Sequence, residues 1–87
     1  MSKYLSDQGE RTRLLDYLVS LYENVADFSG ELLAMELPTV TSDEMEARKY
    51  RASTLAMDIQ ADWFMVEPML ADIYNELPPV DIMGPNA

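Results

Sequence analysis

Leu14, Leu18, Leu21, Val25, Phe28, Leu32 and Met35 follow one another at steps of four, three, four, three, four and three. At 3.6 residues per turn, this alternation keeps all seven on one face of a single helix. A strand cannot carry the pattern, because its side chains repeat every two residues. A second apolar row, Leu15, Val19, Tyr22, Ala26 and Leu33, runs beside the first. The combined face is wider than the seam of a two-stranded coiled coil, so it needs more than one neighbouring helix.

The ends of this helix are also legible. Asp7 and Glu10 have the spacing of a capping box, with the aspartate accepting from the third amide and the glutamate reaching back. Pro38 pushes Leu37 out of the helical region and closes the helix near residue 37. Gly30 interrupts the pattern at about 1 kcal/mol relative to alanine, which suggests a close approach or a slight bend.

Thr41 and Glu44 repeat the capping-box spacing and open a second helix. Asp43, Glu44 and Glu46 lie where the positive end of the helix dipole favours acids. Its seam is Met45, Ala52, Ala56, Ile59, Trp63, Val66, Leu70, Ile73 and Leu77, with Lys49 at the one polar step. The phase runs unbroken across Pro68. The spacing therefore favours one helix kinked at the proline; if it breaks there, Pro68 becomes the first residue of a short third helix. Pro78 and Pro79 end it, and residues 78–87 read as an extended tail that folds back onto the core edge, docks on a partner or is disordered without a role.

The expected architecture is all-α, a single small helical domain over residues 1–87. Helix one covers about residues 8–37 and helix two about residues 42–77. Two long helices joined by a short loop make an antiparallel hairpin. A hairpin alone leaves two wide apolar faces uncovered, so a homodimer completing a four-helix bundle is expected.

Composition narrows the function. The 87 residues include no His and no Cys. This removes thiol chemistry, disulfides, thiolate zinc sites, the commonest general base and the commonest metal ligand. No Ser-x-x-Lys, glycine-flanked serine or phosphate-binding glycine loop is present. The chain reads as non-enzymatic, with no cofactor and no metal. It has no apolar run of membrane-spanning length and no signal-peptide core, so a cytoplasmic protein is expected.

The net charge is −10, which argues against direct contact with nucleic acid or an anionic membrane. Residues 14–47 hold eight acids and no base, and residues 52–87 hold six acids and no base. Asp16, Glu23, Asp27 and Glu31 form one acidic stripe; Asp58, Asp62, Asp72 and Glu76 form another. Such rows keep an apolar-rich protein soluble. They can also imitate the phosphates of a nucleic acid and occupy a basic groove. Arg48, Lys49 and Arg51 are expected near Glu31 and Glu36 as internal charge balance.

From Trp63 to Leu70, seven of eight residues are apolar, too many for one seam. Trp63, Phe64, Met65 and Met69 are the candidate anchors for a partner, with Phe64, Met65 and Met69 expected to face outward. The sequence thus points to a small acidic protein–protein interaction module that binds and modulates, in the inhibitory sense, another macromolecule. One alternative is a nucleic-acid mimic acting on a DNA- or RNA-binding enzyme such as a restriction or CRISPR-type nuclease. Another is a structural subunit of a larger assembly. The size and lack of a catalytic set suit a phage or plasmid accessory protein.

Overall fold

The computed structural model describes residues 1–76, which are mostly helical with no strand among them. A short helix α1 spans Lys3–Ser6, α2 spans Gln8–Met35 and α3 spans Ser42–Tyr74. Helices α2 and α3 pack against each other as a hairpin. Their 28 and 33 residues correspond to about 42 and 50 Å of helix. Leu77 and the tail expected at residues 78–87 lie outside the described residues.

Both long helices start where their caps place them. The Asp7 carboxylate accepts from the Glu10 amide at 2.9 Å, and the Thr41 hydroxyl accepts from the Glu44 amide at 3.2 Å. The first capping box is only half of what the spacing suggested. The Asp7 amide donates to the Lys3 carbonyl at 2.9 Å, and Glu10 pairs with Arg13 at 3.1 Å. The last turn of α1 has taken the donor that Glu10 was expected to satisfy.

Helix α2 stops at Met35, two residues before the expected end. The amides of Glu36 and Leu37 donate to the carbonyls of Leu33 and Ala34, tightening the final turn. A second turn, with the Val40 amide donating to the Leu37 carbonyl, carries Pro38 at the position where a fixed φ suits it. Helix α3 is continuous through Pro68, as the unbroken seam implied. Lacking an N–H, Pro68 leaves the Phe64 carbonyl without its usual helical donor.

The core gathers at the open end of the hairpin, where Tyr4, Leu14, Val66 and Met69 are buried together. Tyr17, Leu18, Leu70 and Ile73 pack against this cluster. Helix α1, absent from the sequence-based reading, closes it. Ser2 caps α1 by accepting from the Tyr4 amide at 3.2 Å and donates its hydroxyl to Asp72 at 2.7 Å. This fold-back corrects one expectation. Met69 is only 3% exposed, because the ring of Tyr4 covers the side of α3 on which it lies. Gly30 is exposed, and a Cβ there would meet nothing within 4 Å. No part of the described chain approaches it closely.

Candidate functional site

The hairpin has two unlike sides. Successive helical residues turn by about 100°, so the contacts between α2 and α3 orient every other position. Along one side of the seam, Asp62 accepts from the Ser20 hydroxyl at 2.8 Å and the Asn24 amide group at 3.0 Å. Glu31 accepts from Arg48 at 3.1 Å and Arg51 at 3.2 Å on the same side. Residues of both acidic stripes fall on this side: Asp16, Glu23, Asp27 and Glu31 from α2, and Asp58, Asp62, Asp72 and Glu76 from α3. The stripes therefore form one acidic surface, although they come from different helices.

Half of these carboxylates are engaged within the chain. Glu31 holds two arginines, Asp62 two neutral donors and Asp72 the Ser2 hydroxyl, while Glu76 lies 3.9 Å from the Met1 amino group. Asp16, Glu23, Asp27 and Asp58 are exposed and make no ion pair among the described residues. Partial burial pushes the Glu31 carboxyl up. The hydrogen bonds and charges of Arg51 and Arg48 together outweigh that and hold it below the usual carboxylate range. Of the expected charge balance, Arg48 and Arg51 meet Glu31, whereas Lys49 pairs with Glu46 at 3.4 Å. Among the described residues, no group of three His, Cys, Asp or Glu side chains could hold a metal ion. No described helix is long and apolar enough to cross a membrane.

The opposite side of the seam is apolar. From α2 it presents Leu15, Leu18, Tyr22, Val25 and Leu32; from α3 it presents Ala56, Trp63, Leu70 and Tyr74. Between Leu14 and Leu33, and between Ala52 and Val66, no charged residue has the phase to reach this side.

The four candidate anchors do not form one patch. Trp63, 40% exposed, lies on the apolar side beside the seam. Phe64 is 73% exposed and points away from the hairpin. Met65 is turned toward the acidic side, and Met69 is in the core. Three consecutive helical residues are spread over about 200° and cannot share a face. Phe64 and Met65 instead join Ala56, Met57, Gln60 and Ala61 around a shallow groove of about 730 Å³ on the back of α3.

Sequence reasoning missed Tyr4 and Ser2 as organisers of the open end, and Ser20 and Asn24 as partners of Asp62. Ser20 and Asn24 are four residues apart on α2, a spacing that suits two donors sharing one acceptor. Nothing near residue 4 pointed to Met69, because the two are far apart in the chain. The chain matches no family model, no curated protein and no solved structure.

Proposed function

We propose that this chain is a non-enzymatic protein–protein interaction module, an acidic helical hairpin that binds and inhibits another macromolecule. The hairpin, bent at Pro68, pairs with a second copy into a four-helix bundle and works in the cytoplasm as an accessory protein of phage or plasmid type. The supporting observation is the balance of burial. Fifteen large apolar side chains are exposed among the described residues, against five buried apolar ones. A chain that is 48% hydrophobic yet buries so few of those residues is completed by contact with another surface. Phe64 and Met65 supply the anchors and the acidic side steers the encounter.

A second reading draws on the acidic side itself. Asp16, Glu23, Asp27 and Asp58 lie on one surface without an ion pair, and Glu23 and Asp27 are about 6 Å apart along the axis. Such a surface suits the basic groove of a nucleic-acid enzyme, and the chain is then a mimic that displaces the nucleic acid. A structural subunit of a larger assembly is the remaining alternative.

One capture experiment separates these readings. The tagged chain is incubated with host lysate and washed with rising salt, alongside Phe64→Asp and the triple variant Asp16→Lys, Glu23→Lys, Asp27→Lys. A partner held at high salt, lost with Phe64→Asp and kept by the triple variant is the expected result. A partner released by salt, competed by DNA or RNA and lost with the triple variant would replace it with mimicry. Recovery of this chain alone would leave the structural subunit.

A further inference from the structure

We infer that the apolar side of the hairpin is the surface on which a second copy of this chain packs, leaving both acidic sides facing outward. The inference deepens the dimer named above by assigning its face, and it does not depend on the identity of any other partner.

Area is the first argument. Leu15, Tyr22, Val25, Leu32, Trp63 and Tyr74 on this side are between 40% and 75% exposed. Since an aromatic side chain alone can bury about 150–250 Å², together they offer roughly 700 Å² of apolar surface, close to the ~800 Å² each partner brings to a standard interface. They flank a seam already occupied by Leu18 and Leu70, so a copy laid on them continues the existing core.

Charge is the second. A protein of net charge −10 repels its own copy, and least so where the facing surface is neutral. This side is uncharged along its middle. Its two ends each carry one base and one acid on opposite helices. At the open end these are Arg11 on α2 and Glu67 on α3; at the turn end they are Glu36, which caps α2, and Lys49 on α3. Arg11 is held by the Leu5 carbonyl at 2.9 Å, and Lys49 is shared with Glu46.

A two-fold axis along the helices brings Arg11 toward Glu67 of the second copy. A two-fold axis across them brings Arg11 toward Glu36 of that copy. Lys49 meets the other acid in either case. The face is thus self-complementary under both two-fold arrangements. The acidic side lacks this property along its middle, where a copy would oppose carboxylates to carboxylates, and Arg48 and Arg51 at its turn end are already held by Glu31.

Oligomeric state and Trp63 emission test the inference together. Trp63 is the only tryptophan and lies on the proposed face, so it reports directly on coverage. Sedimentation of the full chain over a range of concentrations should show a dimer that tightens as salt rises, because salt screens the repulsion between copies. Trp63 emission should shift to the red on dilution.

Tyr22→Glu with Val25→Glu should weaken the dimer at least tenfold, while Phe64→Glu leaves it unchanged, with helix content checked by circular dichroism. Should the double variant lose its helices, the dilution shift of Trp63 in the unaltered chain decides. A dimer that survives the double variant, or is lost with Phe64→Glu, would overturn the assigned face while keeping the dimer. A monomer at all concentrations would overturn both the face and the dimer, and a Trp63 emission that stays constant while sedimentation shows the dimer dissociating would overturn the face alone. Either result would leave heterologous binding to be judged by the capture experiment.

Discussion

The hydroxyl of Ser2 donates to the carboxylate of Asp72 at 2.7 Å, joining residues seventy positions apart across the open end of the hairpin. The same oxygen accepts from the Tyr4 amide and caps α1. One serine therefore starts a helix and anchors it, and the anchored helix places Tyr4 over Leu14, Val66 and Met69.

Removing that serine should loosen the open end first. Ser2→Ala deletes a cap and a hydrogen bond to a carboxylate, at a cost of about 1–2 kcal/mol. Tyr4→Ala removes a buried ring from the cluster it forms with Leu14, Val66 and Met69 and should cost about 3 kcal/mol. Urea unfolding of both variants at one fixed protein concentration measures these costs. If Tyr4→Ala proved as mild as a surface substitution, α1 would have no part in the core.

The pairing of Glu31 with Arg48 and Arg51 predicts a pH dependence. The folded-state carboxyl is held below its ordinary value of 4.5, so the folded chain keeps this group ionised to lower pH than the unfolded chain. Its contribution to stability is therefore complete above about pH 4.5 and is lost as pH falls through the lowered folded value. The general repulsion among sixteen acids also falls on acidification, so only a comparison isolates the site. The melting temperatures of the unaltered chain and Glu31→Gln should differ at neutral pH and converge at acid pH. A difference independent of pH would assign the effect to packing and not to the ion pairs.

Gly30 offers a gain. It lies inside α2 with no positive φ, and a Cβ there would meet nothing within 4 Å. Gly30→Ala should stabilise the chain by about 1 kcal/mol through helix propensity and a less free unfolded state. Its phase puts it on the back of α2, outside the face assigned to the second copy, so the dimer affinity should not change. A drop in either quantity would mean that another chain approaches α2 closely at this glycine.

The long helices were readable because their signals are local. The four–three alternation, the caps at Asp7 and Thr41 and the stop at Pro38 each act within about one helical turn, and the structure places α2 and α3 accordingly. The run from Trp63 to Leu70 is too apolar for one seam, and its phase alone predicts Met69 outward, whereas the structure buries it. Its phase is close to the edge of the seam, and at an edge only the segment packed against it decides between water and core.

By itself, the sequence determined that this is a helical chain with two long amphipathic segments, a turn at residues 37–40 and a large excess of carboxylates. Period, capping and charge depend on residues close together in the chain. Only the tertiary structure decided that residues 2–6 fold back over α3, that Met69 is covered, and that Asp62 and Glu31 are held by donors on the facing helix. It also decided that the two acidic stripes share one side and leave the other uncharged along its middle. That relation depends on the rotation of each helix about its own axis in the hairpin. The rotation is chosen by contacts between residues some twenty to seventy positions apart, which no local pattern encodes.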